Sequence, residues 1–111
     1  EYIETKYEYD LDRTWEYLNQ RYGWKSSCQE TVPEAIIAFL ESSSFEDAIR
    51  KAVSMGGDSD TLACITGGIA EAFYGEIPEE MILETERVFP QIFHKILDAM
   101  KINTAYGKQN K

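Results

Sequence analysis

Histidine and cysteine are scarce in this chain of 111 residues: one histidine, His94, and two cysteines, Cys28 and Cys64, far apart and without C-x-x-C spacing. That excludes a disulfide framework and makes a tetrahedral zinc site a poor match. Positive charge is short as well. Eleven basic against twenty acidic residues give a net charge of −9, which repels phosphate backbones and anionic lipid, so neither nucleic acid nor a membrane surface is an expected partner, whereas cations are. No long apolar run exists. The longest uncharged stretch, Thr61 to Ala70, is far too short to cross a bilayer, and no basic-then-apolar leader opens the sequence. A serine-nucleophile elbow, a P-loop and a dinucleotide glycine fingerprint are all missing. The expectation is a soluble, cytoplasmic protein with reduced thiols, Cys64 acting as a small buried hydrophobe. His94, beside Lys95, reads as an ordinary helix residue.

What is present is helical periodicity on a chain that is 43% hydrophobic, enough to bury a core. From about Asp10 to Tyr22, the residues Leu11, Trp15, Leu18 and Tyr22 form one stripe, with Asp10 or Asp12 as cap and Gly23 as stop. "TVPEAIIAFLES" opens with Thr31 and Glu34 at capping-box spacing, Pro33 falling in the first turn. "SSSFEDAIRKAVSM" repeats the pattern with Ser44 and Asp47, its inward face being Phe45, Ala48, Ile49, Ala52 and Val53. The next helix runs from Asp60 or Thr61 to Tyr74 on a stripe of Leu62, Ile65, Ile69 and Phe73. Gly67 and Gly68 inside it cost about 1 kcal/mol each relative to alanine, which predicts close packing on several sides and a central position. Gly75 stops it, Pro78 starts a helix that reaches Pro90, and "QIFHKILDAM" forms the last. Residues 1 to 9 show no decisive period, and the tail "NTAYGKQNK" has no apolar face. The fold class is all-α, a helical bundle.

The chemistry is concentrated in "SMGGDSDTLACITGG", Ser54 to Gly68. Asp58 and Asp60, with Thr61 adjacent, stand at a helix N-terminus where backbone N–H groups carry partial positive charge. One reading is simple capping. The other is a hard divalent cation, Mg2+ or Mn2+, for which carboxylates at i and i+2 and a hydroxyl at i+3, entered through Gly56 and Gly57, direct several oxygens to one place. An EF-hand loop opening at Asp58 would need glycine and glutamate where Ala63 and Ile69 stand. A phosphatase aspartate pair would follow a strand, whereas "DAIRKAVSM" has helical spacing.

The run from "TVPEAIIAFLES" through "SMGGDSDTLACITGGIAEAFYG" to "EIP" resembles the C-terminal signature of the ADP-ribosylglycohydrolase family, which includes the dinitrogenase reductase-activating glycohydrolases. The likeness extends from about Asp12 to Met100, and the G-G-D-x-D-T core together with the V-P-x-A helix carries it. It implies an all-helical bundle and an active site with two Mg2+ or Mn2+ ions, its second acidic motif mapping onto Asp58, Asp60 and Thr61. It further implies hydrolysis of the glycosidic bond between ADP-ribose and a protein side chain or related acceptor, so an ADP-ribosylated protein or an ADP-ribose-containing small molecule is the expected partner. Gly57 and Ser59 beside the ligands, and the loop residues Ser26, Ser27 and Cys28 near the nucleoside end, are candidate substrate contacts; the plainer reading of that loop is a solvent-exposed connection. Trp15, Tyr22 and Trp24 could stack on adenine, although aromatics on a helical stripe are usually core.

Members of the family are longer and carry near their N-terminus a first metal motif, a threonine followed by two aspartates. "ETKYEYD" has no adjacent aspartate pair. The expectation is a C-terminal segment of one such domain, residues 1–111, inactive by itself and weak in metal binding because three side chains cannot fill two octahedral shells. Apolar surface meant for the absent part would then associate with that part or with itself. Two other readings stay open: a noncatalytic, crystallin-like member, against which the intact Asp58, Asp60 and Thr61 argue, and a helical interaction module in which the aspartates only cap.

Overall fold

The computed structural model describes residues 1–21, 23 and 27–103, the side chains of 102 and 103 apart. Tyr22, Trp24, Ser26 and the tail beyond 103 lie outside the described residues. Seven helices and no strand occur among those described: α1 (Tyr2–Tyr7), α2 (Trp15–Arg21), α3 (Cys28–Leu40), α4 (Phe45–Ser54), α5 (Ser59–Tyr74), α6 (Glu79–Val88) and α7 (Gln91–Asn103). The all-α expectation holds. The chain divides into two compact units, Glu1–Ile77 and Pro78–Lys111.

In the first unit α5 packs against both α3 and α4, and these two against each other. Leu62, Thr66 and Ala70 form the buried line of α5. They meet Ala35, Ile37 and Ala38 of α3 and Ala48 and Ala52 of α4, all fully or almost fully buried. Alanine at so many contact positions lets the axes approach closely. Thr66 fixes the register by donating its hydroxyl to the Ala35 carbonyl at 2.9 Å. A second tie joins the far ends: the Tyr74 hydroxyl donates to the Ser42 carbonyl at 2.7 Å, beside an edge-to-face cluster of Phe39, Phe73 and Tyr74.

Several local expectations are corrected. α2 begins at Trp15, because Asp10 accepts the Asp12 N–H in a turn of its own while Thr14 accepts the Tyr17 N–H at 3.2 Å and takes over the capping. α3 begins at Cys28, with Ser27 as N-cap. "SCQE" offers the same S-x-x-E spacing four residues earlier, and the Ser27 hydroxyl donates to Glu30 at 2.8 Å. Glu34, freed from that role, is buried and pairs with Arg13 at 2.6 Å, while Pro33 lies inside the helix. Trp15 is half-buried against the core, its indole N–H donating to the Lys51 carbonyl at 2.9 Å. Val53 and Phe73 are turned out, 50% and 71% exposed. Cys64 is exposed, because it lies opposite the Leu62–Thr66–Ala70 line.

The Ser44 expectation is borne out: its hydroxyl accepts the Asp47 N–H at 3.1 Å, and Asp47 accepts the Ser43 N–H at 2.9 Å. Gly75 closes α5 in the left-handed region, φ 78°, donating to the Glu71 carbonyl. Residues 1 to 9, undecided by period, contain the short helix α1, ended by Glu8 at φ 57°.

The second unit is the helix pair α6 and α7, on either side of Pro90. The Met81 and Ile82 N–H groups reach the Pro78 carbonyl, and Phe93 that of Pro90, so both prolines stand where a missing N–H costs nothing. Phe89 meets Phe93 and His94 edge-on, which places His94 among aromatics.

Candidate functional site

The corner between α4 and α5 is built from the backbone outward. α4 ends at Ser54, and its C-cap Met55, 3% exposed, plugs the core. Gly56 and Gly57 then take φ values of 77° and 59°, a consecutive pair in the left-handed region that side chains resist. The chain turns sharply and delivers Asp58 as the N-cap of α5.

Asp58 caps through its backbone alone. Its carbonyl accepts the Leu62 N–H at 3.1 Å, and its carboxylate makes no capping bond. Pure capping would use that side chain, whereas here the Asp58 carboxyl lies beside that of Asp60. Asp60, exposed in the first turn, accepts the Thr61 N–H at 2.9 Å. A hydrogen bond with the neighbouring Asp58 carboxyl, and this N–H after it, hold the Asp60 carboxyl below the usual carboxylate range. Ser59 is half-buried and Thr61 exposed. The turn therefore brings two carboxyls side by side at a helix N-terminus, oxygen donors of the hard kind that divalent cations take.

The other candidates sit elsewhere. Ser27 is the exposed N-cap of α3 with its hydroxyl engaged by Glu30, and Cys28 is the exposed first residue of the same helix. Ser26 lies outside the described residues. Among the described residues no three His, Cys, Asp or Glu side chains gather about one point. None of the helices described is long and apolar enough to cross a membrane. The α5 packing expected from two glycines holds for one of them. A Cβ on Gly67 would stand 3.0 Å from Ile49 Cδ1, whereas Gly68 faces open space.

A profile of the family described as ADP-ribosylglycohydrolase matches residues 2–109. The human ADP-ribosylhydrolase ARH3 is 41% identical over 54 residues, 47% of this chain and 14% of the human one. Mouse ADP-ribosylhydrolase ARH3 is 34% identical over 86 residues, 60% of this chain and 23% of its own length. An uncharacterized protein of Archaeoglobus fulgidus is 37% identical over 71 residues, 64% of this chain. The matched part is less than a quarter of each of these relatives. No solved structure matches the chain. A helical fold whose glycine-led aspartate corner starts its most connected helix, with a profile match along nearly its whole length, makes the chain a member of the ADP-ribosylglycohydrolase family.

Proposed function

We propose that the protein takes part in metal-dependent hydrolysis of the glycosidic bond linking ADP-ribose to a protein side chain or a related acceptor. Family membership supports the reaction class, and the carboxylate of Asp58, left unspent by the helix it begins, is the observation that carries the metal reading. Asp58, Asp60 and Thr61 would hold Mg2+ or Mn2+ through oxygen, which the hard donor set fits. A bound cation supplies Lewis-acid stabilisation of the charge that develops as the glycosidic bond breaks.

The chain's own groups do the rest. The N-terminal end of α5 offers backbone N–H groups and a partial positive charge to a pyrophosphate, offsetting the acidity of the protein as a whole. Gly57 and Ser59 flank the ligands and contact the substrate there, while Ser27 and Cys28 serve its nucleoside end. Three oxygen ligands leave most of an octahedral shell to water or to further residues, so the 111-residue chain by itself binds the cation weakly and turns over little. Exposed free thiols on both cysteines accord with a cytoplasmic setting.

The test is release of ADP-ribose from peptides ADP-ribosylated on arginine or serine, by the full gene product, with Mg2+, Mn2+ or chelator. Asp58→Asn and Asp60→Asn are expected to lower release at least about a hundredfold. Release that needs no metal and survives both substitutions overturns the reading. Neither substitution should move the unfolding midpoint of the chain appreciably, since Asp58 makes no side-chain capping bond and Asp60 is exposed.

A further inference from the structure

The Gly56–Gly57 turn has little to hold itself with. Glycine tolerates many backbone conformations, so where such a turn points depends on the helices that enter and leave it. α5 is fixed against α3 by the Thr66 hydroxyl on the Ala35 carbonyl. The end of α4 is fixed by a residue from outside the pair.

Trp15 opens α2 and reaches two other helices. Its main-chain N–H donates to Oε1 of Glu41, the residue that ends α3, at 3.1 Å, and its indole N–H donates to the Lys51 carbonyl at 2.9 Å. Lys51 lies in the last turn of α4, where intrahelical donors run out. The same carbonyl accepts the Ser54 hydroxyl at 2.9 Å, and the Lys51 ammonium lies over the Trp15 ring, 5.6 Å from its centroid. Trp15 also packs against the core cluster that holds Ala52 and Met55 before the turn and Leu62 after it. An indole N–H withdrawn from water seeks an acceptor, and the acceptor taken here stands in the turn of helix that leads into the glycines.

We propose that Trp15 is a positioning residue for the aspartate corner: by holding the Lys51 carbonyl it fixes the end of α4, and with it the glycine turn that carries Asp58 and Asp60. It touches no ligand itself, and the inference rests on the metal reading of that corner. Without the indole bond the two carboxyls converge for less of the time, and a cation binds more weakly.

The bond from Tyr74 to the Ser42 carbonyl, a tie of the same kind at the opposite end of α5, supplies the control. Amide hydrogen exchange of the 111-residue chain compares Trp15→Phe, which keeps a ring and deletes the N–H, with Tyr74→Phe. Gly56, bonded to the Val53 carbonyl, and Leu62, bonded to that of Asp58, report the corner, while Gly75, bonded to that of Glu71, reports the far end. Trp15→Phe is expected to speed exchange at Gly56 and Leu62 about fivefold, the value of one neutral hydrogen bond, and to leave Gly75 as in the parent; Tyr74→Phe does the reverse. Equal acceleration at all three amides makes the bond a matter of global stability and overturns the proposal, as does no acceleration at Gly56 and Leu62. In the parent, which needs no variant to fold, the Trp15 indole N–H should exchange in step with those two amides, and free exchange of the indole beside protected amides also overturns it. In the full gene product, Mn2+ affinity, read from the electron paramagnetic resonance of the free ion, should fall about fivefold in Trp15→Phe and stay unchanged in Tyr74→Phe. A parent that binds no Mn2+ defeats the metal reading on which the inference rests. A parent that binds it, with Trp15→Phe binding equally, defeats the inference alone.

Discussion

Lys51 and Ser43 share one carboxylate at the start of α4. Asp47 Oδ2 accepts from Lys51 Nζ at 2.7 Å and from the Ser43 N–H at 2.9 Å, and these bonds, the lysine's first, hold its carboxyl below the ordinary aspartate range. A carboxyl depressed in the folded state adds stability at pH values above its unfolded range and loses it as pH falls through the folded value. Acid titration of the unfolding midpoint should therefore fall less steeply for Asp47→Asn than for the parent between those limits. The Arg13–Glu34 pair makes a larger claim. Arg13→Ala leaves a buried carboxylate with neither oxygen partnered and should cost about 3 kcal/mol in urea unfolding. Arg13→Met with Glu34→Leu should recover most of it, because removing both charges leaves nothing unpaired. At the start of α4 the sequence made the Ser44–Asp47 cap legible, the two standing three apart within one turn, but not the Lys51 and Ser43 bonds to the same Asp47 carboxylate. Nor was Glu34 legible. Its spacing from Thr31 imitates a capping box, and only tertiary structure brings Arg13, twenty-one positions away, to its side.

At the level of helices, α5 shows where periodicity stops being informative. Its extent and its Gly75 stop follow from local signals, but its buried line is Leu62–Thr66–Ala70 rather than the larger residues around it. Bulk did not decide the inward face. Close approach of α3 and α4 selected small side chains and a threonine able to donate to Ala35, which left Phe73 packing edge-on at the rim and Cys64 outside. The two glycines should separate cleanly. Gly68→Ala, into open space, is expected to stabilise the chain by about 1 kcal/mol, as alanine does over glycine inside a helix. Gly67→Ala must displace the end of Ile49 and should gain less or lose. Thermal unfolding of both variants checks this, and a destabilising Gly68→Ala would mean that the outer face of α5 is covered in solution.

Across the whole molecule, apolar groups are turned outward in both units: Leu40, Val53 and Phe73 in the first, Leu83, Val88 and Ile92 in the second, each at least half exposed. Surfaces of this kind seek cover. Light scattering should give a mass above 12.7 kDa that rises with concentration, and a monomer at every concentration would refute the expectation. Helical periodicity indicated the all-α class, and the glycine-aspartate motif indicated the turn that starts α5. Which helix faces are buried is a property of three-dimensional packing that spacing along a chain does not encode. The corner itself has one further property. Because the turn is shaped by two glycines and the helix is started by a carbonyl, the Asp58 carboxyl bears no capping duty, and Asp60 alone of the two holds a backbone N–H, that of Thr61. On the proposed metal reading, a cation bound there would change the electrostatics of the corner rather than its shape.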